Sequence, residues 1–106
     1  MSEPQTMVQV LYWHGIPVQV KAQRGRGRRG EQARMELPPR FMQAVDAVAM
    51  SAGLTGTDAY LDGFIWGDPQ PHDASPQDAA TATAAQIEAH YPAVDWRKIA
   101  ERLFAK

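Results

Sequence analysis

The chain's 106 residues are enough for one domain, and a 44% hydrophobic content can fill a single modest core. The absence of cysteine excludes disulfides, thiol nucleophiles and thiolate metal sites. A formal charge of −1 excludes a domain drawn to polyanions by its overall field, yet the charge is uneven: residues 21–40 carry Lys21, Arg24, Arg26, Arg28, Arg29, Arg34 and Arg40 against Glu31 and Glu36, a local +5 that leaves −6 on the other 86 residues.

In chain order, residues 1–6 read as a loose polar tail with no signal pattern, and no apolar run approaches the ~20 residues of a membrane span. A soluble, cytoplasmic protein is the expectation. Residues 7–13 alternate with period two, placing Val8, Val10 and Tyr12 on one face and Gln9, Leu11 and Trp13 on the other. His14-Gly15 suits a tight turn. Ile16, Val18, Val20 and Ala22 then alternate with Pro17, Gln19, Lys21 and Gln23, and Pro17 belongs at a strand start or an edge. After an Arg-Gly stretch, Ala33, Met35 and Leu37 alternate with Arg34 and Glu36 in a short third strand that ends at Pro38-Pro39.

Helices follow. Pro39 suits a first helical turn, and Phe41, Ala44, Val45, Val48 and Ala52 make one apolar stripe that Gly53 closes with a left-handed cap. Thr57 is placed to cap a second helix with Tyr60, Leu61, Phe64 and Ile65 as its buried side, before the turn-rich connector Gly67-Asp68-Pro69-Gln70-Pro71. Ser75-Pro76-Gln77-Asp78 is a helix start signal, and Ala80, Ala84, Ile87 and Tyr91 are the stripe behind it. Asp95 caps a last helix carrying Trp96, Ile99, Ala100, Leu103 and Phe104. The expected fold is α+β: a three-stranded antiparallel N-terminal sheet (7–37) packed on three to four C-terminal helices. Residues 38–67 form the first helical part, and residues 75–106 form a helical hairpin that is either part of the domain or semi-independent. The sheet's apolar face is expected to be Val8, Val10, Tyr12, Val18, Val20 and Met35.

Gly25-Arg26-Gly27-Arg28-Arg29-Gly30 matches the spacing of a dinucleotide-binding loop, but only seven residues separate it from Pro38 and no long helix follows, so the match is compositional. A basic hairpin tip fits better: guanidinium groups free to fork onto carboxylates or phosphates, beside a sheet face bearing Gln9, Leu11, Trp13, Gln19, Lys21, Gln23 and Arg34. The candidate partner-binding set is therefore Arg24, Arg26, Arg28, Arg29, Arg34, Lys21 and Trp13. The plain alternative is a solvated tip with Trp13 covered. Asp68, His72 and Asp73 share a loop without the spacing of helix-borne metal ligands, and Ser51 and Ser75 read as structural. No catalytic set, metal site or cofactor is expected. Trp66, beside Gly67 at a predicted helix end, is the tryptophan expected nearer the surface, whereas Trp96 lies on an apolar stripe.

Three blocks carry a family likeness: Val10-Leu11-Tyr12-Trp13-His14-Gly15-Ile16-Pro17-Val18-Gln19-Val20, then Glu36-Leu37-Pro38-Pro39-Arg40-Phe41-Met42-Gln43-Ala44-Val45-Asp46, then Asp58-Ala59-Tyr60-Leu61. In order and spacing they resemble the small bacterial virulence factor domain family over residues 8–70, with the Arg-rich segment between the first two blocks. The resemblance brings no catalytic residues. It implies an accessory or adaptor role, since such domains resemble parts of larger proteins, beside an iron–sulfur-scaffold-like domain and helical repeats.

The leading expectation is a non-enzymatic accessory or adaptor-type binding domain that meets an acidic partner through the basic hairpin. The alternatives are a single-stranded nucleic-acid-binding module using the same face, and a small enzyme subunit with an unrecognised site. Self-association stays open because a three-stranded sheet has edges to cover.

Overall fold

The computed structural model describes residues 5–25 and 31–104. Its elements are β1 (Thr6–Trp13), β2 (Ile16–Arg24), β3 (Glu31–Glu36), α1 (Pro39–Ser51), α2 (Asp58–Asp62), β4 (Phe64–Trp66), β5 (Gln70–His72), α3 (Pro76–His90) and α4 (Trp96–Phe104). The α+β class stands, but the antiparallel sheet has five strands, ordered β3-β2-β1-β4 with β5 on β1 beside β4. The two extra strands come from the predicted second helix and the connector. Gly63 caps α2 after a short run, and Phe64-Ile65-Trp66 then pairs with Leu11–Trp13. Their aromatic and β-branched side chains suit an edge strand, and an unpaired β1 edge is there to take them. Pro71 is tolerated opposite Met7 because β5 is an edge.

Local signals at the other helix ends hold. Pro39 opens α1 at its first turn. Gly53 has φ +72°, its N–H bonds Met50 O, and Leu54 N–H reaches back to Ala49 O at 2.8 Å, which is a Schellman closure. Thr57 and Ser75 accept hydrogen bonds from the Tyr60 and Asp78 amides, and Asp95 Oδ1 accepts from Lys98 N–H. Of the side expected to be buried, Tyr60 and Phe64 are half-buried against the core, whereas Leu61 and Ile65 are both 65% exposed.

The β1–β2 hairpin corrects a second expectation. His14 and Gly15 both have positive φ, as a two-residue type I′ turn requires, and that turn sets Trp13 opposite Ile16. Further along, Leu11 faces Gln19 while Tyr12 faces Pro17, which leaves Val18 unpaired as a bulge. The bulge reconciles two registers one residue apart. It puts Ile16 on Trp13's side of the sheet instead of Val20's, and Pro17 beside Tyr12. Thr6 also leaves the predicted tail: it begins β1 and is fully buried.

The core joins Val8, Val20, Ala22 and Ala33 of the sheet to Phe41, Val45 and Val48 of α1 and to Ala79, Ala80 and Ala84 of α3. Alanines let α3 lie close over β2 and β3. Arg40 of α1 closes the C-terminal end of α3, with Nε donating to Tyr91 O at 3.0 Å and a terminal nitrogen to Glu88 O at 3.2 Å. Phe41 meets Tyr91 edge-on, and α4 packs on α1.

A candidate partner-binding face on the sheet

Residues directly opposite on neighbouring strands share a face. Gln9 faces Lys21, Lys21 faces Arg34, Leu11 faces both Gln19 and Trp66, and Gln23 faces Gln32. This is the side away from α3, and its central residues are all half-buried or exposed. The predicted amide-and-cation face is therefore assembled. Its aromatic residue is not the predicted one.

Trp13 is fully buried. Its indole N–H donates to Tyr60 O at 2.8 Å, and its ring packs against Tyr60 and edge-on against His14. The segment 60–63 closes over this end of the hairpin, so Trp13 is withdrawn from the candidate contact set. Trp66 takes its place on the face, brought there by β4. The cue missed in the sequence is the strand-forming Phe64-Ile65-Trp66 between two glycines. The Lys21 Nζ stands 4.4 Å from the centroid of the Trp66 ring, a cation–π contact worth about 0.5–1 kcal/mol at an accessible site.

Arg24 is corrected as well. Its Nε donates to Thr6 Oγ1 at 3.1 Å and its terminal nitrogen to Ala74 O at 3.0 Å, while Thr6 Oγ1 itself donates to Ala74 O at 2.6 Å. Arg24 ties the end of β2 to the start of β1 and to the turn before α3. Thr6→Val should leave Arg24 and Ala74 O short of a partner and cost roughly 1–3 kcal/mol, measured as a lowered urea midpoint at unchanged slope. Arg34 is exposed, and among the described residues it forms no hydrogen bond or ion pair. Arg26, Arg28 and Arg29 lie outside the described residues.

A cavity of about 420 Å³ runs between β1, the 67–72 segment and α3, lined by Val8, Val10, Tyr12, Asp68, His72 and Gln86 among others. His72 Nδ1 accepts the Ala74 N–H, which makes it a turn-former. Among the described residues no group of three or more His, Cys, Asp or Glu is placed to hold a metal ion, and no helix is long and apolar enough to cross a membrane. Burial first, then the neighbouring Asp46 carboxylate, holds the Tyr60 phenol above its usual pKa, the opposite of activation. Its hydroxyl donates to Asp46 Oδ1 at 3.3 Å and so hangs α2 on α1.

The fold and the face together define a small α+β domain with one open sheet surface. The chain belongs to the family described as virulence factor, whose profile matches residues 11–99. That span runs from the last three residues of β1 through β2, β3, α1, α2, β4, β5 and α3 into the start of α4, and so covers the stretch carrying Trp66. No curated protein and no solved structure matches the chain.

Proposed function

We propose that this member of the virulence factor family is a non-enzymatic accessory or adaptor-type binding domain that meets an acidic protein partner through the open face of its sheet. Lys21 and Arg34 supply the charge, Gln9, Gln19, Gln23 and Gln32 supply amide hydrogen bonds, and Trp66 with Leu11 supplies apolar area. The basic segment Arg26–Arg29 continues the charge along the sequence.

One observation carries the choice of partner: the Lys21 ammonium sits over the Trp66 ring. A nucleobase stacking on that ring face would have to displace the cation, whereas a carboxylate can join it. The same residues still state the nucleic-acid alternative in testable form. With poly-L-glutamate, the intact chain should bind at low salt, and Lys21→Ala and Arg34→Ala should each weaken binding. With oligothymidylate, the alternative requires a steep linear loss of log affinity with log salt, its slope flattened by about one unit per cation removed. Absence of polyglutamate binding at 20 mM salt or so would end the acidic-partner reading.

A further inference from the structure

We infer that β3 is a self-association edge. Two copies of the chain pair β3 on β3, antiparallel about a two-fold axis at Met35, with Arg34 of each copy opposite the partner's Glu36. The inference does not rest on the acidic-partner reading, since the sheet face carrying Lys21 and Trp66 stays open.

The two sides of the sheet end differently. On the β1 side, β4 and β5 are three-residue strands parted by residues 67–69, and β5 carries Pro71; short, proline-bearing strands make poor templates for pairing. β3 is a continuous six-residue strand without proline, and no strand lies beyond it among the described residues. Two hydrogen bonds fix the direction of its backbone groups. Leu37 N–H donates to Val18 O at 3.3 Å, so in the unbroken β2–β3 register residues 31, 33, 35 and 37 bond inward. Gly67 N–H donates to Val10 O at 2.8 Å, and carrying that alternation through the β1–β2 register gives the same answer. The N–H and C=O groups of Gln32, Arg34 and Glu36 therefore point out from the free edge.

Those outward groups restrict the pairing. Even residues exchange bonds with even residues, so a two-fold axis that joins two or more such pairs falls on Ala33, Arg34 or Met35. Centred on Arg34, the pairing sets two guanidinium groups directly opposite, where like charges repel. Centred on Ala33, it sets Glu31 against the partner's Met35 and leaves Arg34 and Glu36 uncompensated. Centred on Met35, it sets Arg34 against the partner's Glu36 twice over. On the other face Met35 then meets the partner's Met35, and Ala33 meets the partner's Leu37. Among the described residues neither Arg34 nor Glu36 has an ion-pair partner within its own chain.

The helix above the edge leaves room for the join. α3 packs over both β2 and β3, so two strand spacings of about 4.8 Å separate it from the partner's α3, close to the interaxial distance of about 8–10 Å in packed helices. Its flank above the edge is marked by Gln77, whose Nε2 stands 3.9 Å from Met35 Sδ. That flank continues as exposed Thr81 and Ala85, both small enough for close approach.

Sedimentation of the intact chain at low salt, from micromolar to about 1 mM, should show a mass rising from 11.7 kDa toward twice that value. Arg34→Glu alone and Glu36→Arg alone each turn both charge pairs repulsive and should weaken the dimer about tenfold or more. Both residues are exposed, and an unmoved resonance of the buried Trp13 indole N–H reports the intact fold of each variant. An equal mixture of the two single variants should form a dimer again, because each strand then meets the opposite charge at both places. The double variant Arg34→Glu, Glu36→Arg should associate like the unaltered chain. A monomer at every concentration overturns the inference. So does a dimer indifferent to the single substitutions, or one that fails to return in either the mixture or the double variant.

Discussion

Trp13→Ala should lower the stability of the domain by about 3–5 kcal/mol, the range for deleting a large buried aromatic. The ring is fully buried, and its loss leaves a cavity under the segment 60–63. It also strips the Tyr60 carbonyl of its indole donor. The consequence extends beyond the cavity, because α2 buries none of its own side chains and is held by the contacts of Tyr60 with Trp13, Asp46 and Phe64. Against a total stability of roughly 5–15 kcal/mol, the variant should show a much lower urea midpoint and early loss of hydrogen-exchange protection in α2. Trp13→Phe keeps part of the volume and should fall between. Trp66→Ala, on the open face and half-buried, should cost no more than about 1 kcal/mol. Equal effects of the two alanine substitutions would refute this assignment of buried and surface tryptophan.

Gly63→Ala should be destabilising by about 1–3 kcal/mol, although its backbone conformation is an ordinary one. Gly63 has φ −73° and ψ −16°, a conformation in which replacing glycine by alanine usually stabilises by about 0.4–1 kcal/mol through the unfolded chain. Here the sign reverses for a steric reason. An added Cβ would stand 2.5 Å from Trp13 Nε1 and 2.8 Å from Cδ1, with His14 Nε2 at 3.1 Å. The indole cannot step aside without leaving Tyr60 O. In a Trp13→Phe background the smaller ring leaves room at that point, so the penalty should shrink and the double-mutant cycle should depart from additivity by 1 kcal/mol or so. A neutral or stabilising Gly63→Ala in the unaltered chain would show that the loop moves freely and is not clamped on Trp13.

Both predictions turn on a residue whose surroundings the sequence misassigned, and the cause is particular. Alternation along β1 correctly separates Val8 and Val10 from Gln9 and Leu11. It cannot register that a one-residue offset between the hairpin turn and the middle of the sheet is absorbed at Val18. Nor can it see that the closing segment of α2 arrives over Trp13. The candidate face was legible as a row of amides and cations because period two is local. Its tryptophan was not, because Trp66 reaches that face by pairing across 55 residues with Leu11. Arg24 was misjudged for the same reason: its partners Thr6 and Ala74 are 18 and 50 residues away.

What the sequence by itself determined was everything set within a few residues. That includes the α+β class, the His14-Gly15 turn, and the caps at Thr57, Ser75 and Asp95. The Gly53 closure and the face shared by Gln9, Lys21 and Arg34 belong with them. Each rests on backbone sterics or on a hydrogen bond to a near neighbour, so the signal and its cause lie in the same short stretch. What only the tertiary structure decided was whether Phe64-Ile65-Trp66 ends a helix or joins an edge, and which tryptophan is core. It also decided which arginines are bound to carbonyls. Those outcomes depend on an unpaired β1 edge, a cavity of one indole's shape and carbonyls brought from distant loops, all of which exist only once the sheet has closed.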